Sequence, residues 1–470
     1  MILEKIARLG SILACLCCFL GNANAQTEED AFFMKDIYTT ALEEQYGYNW
    51  LRDLTENVGA RLSGSPAADE AVGFVKAHLE AAGFDTVFLQ EVTDVPRWQR
   101  GTTETVRMID APIWGTRELS ALSLGNSVGT PPGGLQAPVI EVHEIDHLDS
   151  LGRASLAGKI VFFNRPFDNS KISPSSAYGG AVDQRVYGPT RAAEYGAVAV
   201  VVRSMTGRRD DIPHTGVTQY LGDTDSIPGI AISTVAADHL AQALAETNEL
   251  ELFIEMDCEN LSPVTSYNVI GDWFGTDTTA PYILLGAHLD SWDVGTGAHD
   301  DGAGCAHIMD AVHLLRQQEY QPTHPIRLVF FMNEENGLKG GRQYAEAAEK
   351  QGVKHLAAIE SDSGGFLPLG FRCDGVPEAL TPGFRQLNRL SDLFSPYRID
   401  FSTGGSGADI SPLKPQGPLL IGFRTSPQRY FDLHHTRADV FSAVHPRELE
   451  LGSAAIASLV YLLDQYGAGK

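Results

Sequence analysis

Basic residues are scarce in this chain: 35 Lys and Arg stand against 60 Asp and Glu in 470 residues, a formal net charge of -25. So acidic a chain lacks the electrostatic footprint that nucleic acid or an anionic membrane surface requires. Cysteine is scarce too. Of the six, Cys15, Cys17 and Cys18 lie close together near the start, leaving Cys258, Cys305 and Cys373. That odd set without paired spacing argues against a disulfide framework and a thiolate zinc site. Long hydrophobic runs are missing as well, since none approaches the roughly 20 apolar residues of a membrane-spanning helix. There is no internal repeat, low-complexity segment or long run of like charge.

What is present begins with Lys5 and Arg8, an apolar stretch around Ile12 to Leu20, and Ala23-Asn24-Ala25 ahead of Gln26. This reads as an export signal over residues 1–25, cleaved to give a secreted or periplasmic protein. Cys15 leaves a lipid-anchored form open, but the apolar stretch before it is very short.

Residues 30–58 show helical periodicity, and Ser65-Pro66 opens a second helix that Gly83 ends, with Val72, Val75 and Leu79 on its buried face. From 126 to 255 the texture changes to short β-rich runs such as Val139-Ile140-Glu141-Val142 and Ile160-Val161-Phe162-Phe163. Strand and helix alternation resumes beyond, with apolar runs at 283–285, 326–332, 355–359 and 418–421 between helical stretches near 302–316, 338–350, 383–394 and 446–466. The pattern predicts an α/β fold: a mostly parallel, mixed sheet with helices on both faces. Residues 26–125 and 256–470 would form one catalytic unit, interrupted by an inserted β-rich domain at 126–255.

The polar residues that follow the apolar runs carry the chemistry. His288, Asp290 and Asp300 sit on one short segment; Glu334-Glu335, Asp362 and His434-His435 follow later runs. In such sheets ligands collect at the carboxyl ends of strands, where these residues would stand. His288, Asp300, Glu335, Asp362 and His435 suit zinc, which takes imidazole nitrogen and carboxylate oxygen, although spacing alone does not choose within the His434-His435 pair. A carboxylate such as Asp300 can bridge two ions, leaving one His and one carboxylate for each. Of the adjacent glutamates, one can ligate metal while the other faces a bridging water as general base. Asp290 is placed to hydrogen-bond the outer nitrogen of His288 or a neighbouring group. Asp293, His299, Asp301 and Glu360 lie close by as supporting residues.

As a set, Arg61-Leu62-Ser63-Gly64-Ser65, the segment Gly286 to Asp293, Gly297 to Gly302, Asn333 to Gly337, Glu360-Ser361-Asp362 and His434-His435-Thr436 resemble the co-catalytic zinc exopeptidases. That family includes bacterial leucyl aminopeptidases and glutamate carboxypeptidases, and the likeness is greatest to its plasma glutamate carboxypeptidase branch, also called carboxypeptidase Q. The resemblance implies two Zn2+ per chain: His288 and Asp362 on one, Glu335 and His435 on the other, Asp300 on both. It implies Glu334 as general base, Asp290 orienting His288, His435 rather than His434 as ligand, and a cis Asp300-Asp301 bond. The insert resembles a protease-associated domain, and Gly404 to Ile410 the family's loop near the substrate. The implied reaction is hydrolysis of dipeptides or short peptides by a metal-bridging hydroxide. Carboxypeptidase and aminopeptidase polarity stay open, as do an amidase or cyclising transferase on the same scaffold, a non-catalytic binding protein, and a homodimer.

Overall fold

The computed structural model describes residues 28–222, 224–247 and 249–469. The export-signal reading of residues 1–25, and Cys15 within it, lie outside the described residues.

The N-terminal part is helical, with one helix over 28–44 and a second over Tyr46–Asn57. The next helix, Pro66–Ala81, starts as its sequence dictates: the Ser65 hydroxyl accepts the Ala68 N–H at 3.2 Å and proline occupies the first turn. Val72, Val75 and Leu79 recur on one face and are buried.

The main sheet has eight strands in the order Thr86–Gln99, Glu259–Trp273, Ile326–Phe331, Tyr282–His288, His355–Glu360, Leu419–Thr425, Pro368–Asp374, Asp400–Thr403. Ile326–Phe331, Tyr282–His288, His355–Glu360 and Leu419–Thr425 run parallel, with antiparallel pairings on either side. Ile326–Phe331 and His355–Glu360 are buried at every position, as expected of strands covered on both faces. The two-residue alternation of a strand sorts Tyr282–His288 between two cores. Ile283, Leu285 and Ala287 pack with the helices Ala303–Gln317 and Pro446–Tyr466, while Leu284 packs with Tyr344, Ala345 and Ala348 of the helix Lys339–Gln351. The predicted mixed α/β sheet with helices on both faces is therefore observed.

A second eight-stranded sheet is built from strands between Glu104 and Met256. Leu135–Val142, Ile160–Phe163, Ala199–Arg203 and Gly229–Ile232 run parallel at its centre. Helices such as His147–Leu156, Gly188–Glu194 and Thr234–Glu246 alternate with these strands, so this part is α/β as well as β-rich. Several of them are too short for a 3.6-residue period to stand out in the sequence. The sheet also takes in strands from Glu104, ahead of position 126, because Glu104–Ala111 pairs antiparallel with Glu251–Met256.

Away from the strand ends, Asp310 and Glu450 form a buried carboxyl pair between the helices Ala303–Gln317 and Pro446–Tyr466. Burial, then the Asp310 carboxyl beside it, pushes Glu450 up to about 10. A carboxyl whose folded value exceeds its unfolded one, roughly 4.3, takes up a proton on folding, so its contribution to stability falls as pH rises through that window. Glu450→Gln keeps the acceptor that the Tyr48 N–H reaches at 2.8 Å and removes the titration. We expect it to gain about 1–3 kcal/mol over wild type at pH 8 relative to pH 5, read as a flatter dependence of melting temperature on pH. Parallel curves for the two proteins would contradict this.

Candidate metal centre

Four loops at the carboxyl ends of the central parallel strands converge on one site. His288 is the last residue of its strand; Glu334-Glu335 follow Phe331, Asp362 follows Glu360, and His434-His435 follow the strand ending at Thr425. Asp300 comes from the turn before the helix Ala303–Gln317, and the Asp300-Asp301 peptide bond is cis. Asn333, Leu338 and His435 hold left-handed backbone (φ 72°, 56° and 62°), sparsely populated for residues other than glycine.

Asp300 occupies the middle. Its Oδ1 lies 3.3 Å from His288 Nε2 and its Oδ2 3.4 Å from His435 Nε2. Asp362 Oδ1 stands 3.8 Å from His288 Nε2, and Glu335 Oε2 3.2 Å from His435 Nε2. Each half of the site is thus one imidazole, one carboxylate and one oxygen of Asp300. Ligands about 2.0–2.1 Å from a tetrahedral zinc lie about 3.3 Å from each other, close to these separations. Asp300 Oδ2 and Glu335 Oε1 are buried and have no hydrogen-bond partner among the described residues, so acceptor atoms of two of these carboxylates are left unused by the protein. Both histidines present Nε2 to it. The outer Nδ1 of His288 faces the Asp290 carbonyl at 2.9 Å and that of His435 the Thr215 carbonyl at 3.2 Å, contacts that fix the tautomer a metal needs. His434 stacks on His435 and brings its Nε2 3.6 Å from Asp300 Oδ2, but shows no matching contact with Glu335.

The electrostatics fit the same donor set. Burial drives Glu335 well up and Asp362 to about 6, with the Asp300 carboxylate adding to both. Against its burial, Asp300 is held low by the His288 hydrogen bond, and the same bond carries His288 well above its ordinary value. Without cations the site therefore holds extra protons, which a metal must displace. Zinc binding is expected to release on the order of one to two protons per chain near neutral pH, and affinity to climb as pH rises past 6. Calorimetry in buffers of different ionisation enthalpy checks this; heats independent of buffer would contradict it.

Glu334 carries its carboxyl into a cavity of about 380 Å³ that Asp300, Glu335 and Asp362 also line. Burial, with acidic neighbours beyond His288, pushes it up to about 8. Asp290 differs in detail from the expectation. Its main-chain carbonyl orients the His288 ring, while its carboxylate, 3.9 Å from that ring, accepts the N–H groups of Asn333, Glu334 and Glu335 at 2.8, 3.0 and 3.3 Å. Asp290 thus holds the turn that presents both glutamates.

The neighbours singled out in the sequence support the site in several ways. Asp301 accepts the His288 and Gly304 N–H groups at 3.2 and 3.1 Å, and Asp293 is held by Arg100. His299 stacks on Phe366, and Glu360 accepts the Ile410 N–H at 2.8 Å. The Gly404 to Ile410 loop packs behind the site: a side chain at Gly407 would meet the Glu360 carboxyl, and none of the loop lines the cavity. Two residues escaped the sequence reading. Asp439 accepts the His299 and Asp300 N–H groups at 2.7 and 3.1 Å. Arg61, wholly buried, donates to the carbonyls of Leu289, Thr296 and Gly297 and so ties together both ends of the His288–Asp300 segment. The Arg61 motif carried only a resemblance in the sequence, and Asp439, four residues after His435, had no spacing of its own that pointed to a role.

A parallel-centred sheet whose strand ends gather two imidazole–carboxylate pairs around one shared carboxylate is a donor set suited to a metal-dependent hydrolase. Residues 268–460 match peptidase family M28. Carboxypeptidase Q of Mus musculus is 31% identical over 434 residues, covering 91% of this chain and 88% of the relative, and that of Homo sapiens is 30% identical, covering 88% and 84%. Among solved structures, a peptidase M28 precursor from Shewanella amazonensis aligns with a TM-score of 0.87 at 31% identity, covering 93% of this chain and 97% of that one. A zinc aminopeptidase from Bacillus subtilis shares the fold at a TM-score of 0.63 and 18% identity, covering 88% and 94%. The chain belongs to peptidase family M28, and with this donor set it is a zinc metallopeptidase.

Proposed function

We propose that the protein is an exported exopeptidase holding two zinc ions and releasing terminal amino acids from dipeptides and short peptides. The placement of Asp300 carries this reading, one oxygen toward His288 and the other toward His435. His288 and Asp362 would hold one ion, Glu335 and His435 the other, with Asp300 common to both. When bound, zinc supplies Lewis acidity that makes water a stronger acid and offsets negative charge on the scissile oxygen.

The protein's own groups do the rest. Glu334, in the cavity beside the donors, takes the proton of the attacking water on its carboxylate and returns it to the departing amine nitrogen. Asp290, through the three N–H groups it accepts, keeps Glu334 and Glu335 diverging, so that ligation and proton transfer stay on separate side chains. Asn126, Tyr178, Val217 and Gln219, all from the part of the chain that builds the second sheet, line the cavity together with Glu334 and Asn336. Such enclosure suits short substrates and excludes folded chains.

The pattern of residues 1–25, read as an export signal, supports the assignment to a secreted or periplasmic enzyme. Amino-acid release from a panel of dipeptides, with and without chelator and with zinc restored, tests the reading. Chelator-sensitive, zinc-restored release is expected. Release unaffected by chelator would overturn it.

A further inference from the structure

The two halves of the metal centre differ in what holds their imidazoles. His288 ends a strand of the main sheet; its ring meets the Asp290 carbonyl at 2.9 Å and its N–H reaches Asp301, 13 positions on, at 3.2 Å. Everything that fixes it is local. His435 stands on a loop in left-handed backbone, φ 62°, which is disfavoured for a residue with a Cβ and persists only where the surroundings impose it.

Those surroundings come from the part of the chain that builds the second sheet. The backbone of His435 is set by the peptide units on either side of it, and both are gripped from there. The His434 carbonyl accepts from His214 Nδ1 at 2.9 Å, and the His435 carbonyl accepts the Thr215 N–H at 3.0 Å. The Thr215 carbonyl in turn faces the His435 ring nitrogen at 3.2 Å. Among the described residues, no other group donates to either carbonyl. The clamp is anchored on strands of its own sheet: the His214 N–H donates to Ser204 Oγ at 2.8 Å, that hydroxyl to the Ile232 carbonyl at 2.7 Å, and Thr215 Oγ1 to the Ser123 carbonyl at 2.7 Å.

His214 is 3% exposed. Its Nδ1 meets only a carbonyl oxygen, so that nitrogen carries the proton, and its buried Nε2 has no partner among the described residues. Burying a bare ring nitrogen is unfavourable, and an aliphatic side chain would avoid it. What the imidazole supplies instead is the bond to the His434 carbonyl.

We propose that His214 is a positioning residue of the metal centre: from the second-sheet part it holds His435 in the backbone that lets the ring share an ion with Glu335, and it leaves the His288–Asp362 half untouched. This rests on the two-ion reading above. Docking of the second-sheet part and occupancy of the Glu335–His435 half are then mutually dependent, since contacts that raise affinity for an ion are stabilised by that ion in return.

The test is zinc titration of chelator-treated wild type, His214→Leu and His214→Asn. Each is also made with Glu335→Ala, which leaves the donors of the His288 half, and with Asp362→Ala, which leaves those of the His435 half. Outer partners of ligating histidines set about 10–100-fold in metal affinity. His214→Leu is expected to weaken the ion by that factor in Asp362→Ala and to leave it unchanged in Glu335→Ala. His214→Asn, whose amide N–H stands about where the Nδ1–H does, should keep affinity near that of the protein with His214. Equal weakening in both backgrounds, weakening in neither, or an Asn variant as weak as the Leu one would overturn the proposal. Should His214→Leu not fold, hydrogen exchange decides with His214 in place. Zinc is expected to slow exchange of the Thr215 amide in Asp362→Ala and not in Glu335→Ala; an equal response in both, or in neither, would overturn the proposal. Two ions in wild type with His214→Leu indistinguishable from it removes only this role of His214. Fewer than two ions in wild type removes the two-ion reading, and this role with it.

Discussion

Replacing Glu334 with Gln is expected to lower kcat about 10³–10⁴-fold while zinc content stays at the wild-type level, because the substitution removes a proton acceptor and no metal ligand. The donor oxygens and nitrogens converge from Asp300, Asp362, Glu335, His288 and His435, and Glu334 stands beside them on the cavity wall. Its backbone N–H keeps its bond of 3.0 Å to Asp290 in the variant, so the turn that presents Glu335 stays as it is. The side chain keeps its size and loses only its ability to take a proton. Steady-state turnover on a dipeptide, alongside metal analysis of the same sample, checks the result. Turnover near wild type would remove Glu334 from proton transfer. Loss of zinc together with turnover would make it a ligand.

Asp300→Ala should do the opposite and lose metal and activity together. Both halves of the site use an oxygen of this one carboxylate, at 3.3 Å from His288 and 3.4 Å from His435. Removing it leaves each half with one imidazole and one carboxylate, short of the three protein ligands typical of catalytic zinc. Zinc content is expected to fall below one per chain and turnover by at least about 10⁴-fold, the scale of losing the metal-assisted step. The local fold should survive, since the backbone N–H groups of His299 and Asp300 remain held by Asp439. An unchanged circular dichroism spectrum separates this outcome from unfolding. Two zinc ions retained in Asp300→Ala would contradict the bridging position.

The elements carrying the donors were the ones most legible in the sequence, for a physical reason. Parallel strands buried on both faces appear as uninterrupted apolar runs, and Ile326–Phe331 and His355–Glu360 stand out on that ground alone. The helix Pro446–Tyr466 matches its predicted span because proline marks its start and glycine its end. Strands such as Pro368–Asp374 and Asp400–Thr403 were not legible. They lie at one edge of the sheet, and proline, glycine and charged residues break their apolar pattern.

At the site, residue type and position after a strand announced His288, Asp300, Glu335 and Asp362. Spacing did not choose between His434 and His435. What favours His435 is that its Nε2 faces Glu335 and its Nδ1 meets the carbonyl of Thr215, a residue 220 positions away. The same holds for Arg61 and Asp439, whose contacts with the site join distant parts of the chain. Asp290 shows the limit of spacing in another way. Two residues after His288 it was expected to hold the ring, and it does so with its main chain, leaving its carboxylate free for the glutamate turn.

The most direct test of the central claim is to titrate zinc into chelator-treated protein while following both bound metal per chain and dipeptide hydrolysis. The account predicts two tight equivalents, negligible turnover without metal, and turnover that reaches its full value as the second equivalent binds. Full activity in the metal-free protein, or saturation of binding at one equivalent with full activity, would contradict a site built around a carboxylate shared by two ions.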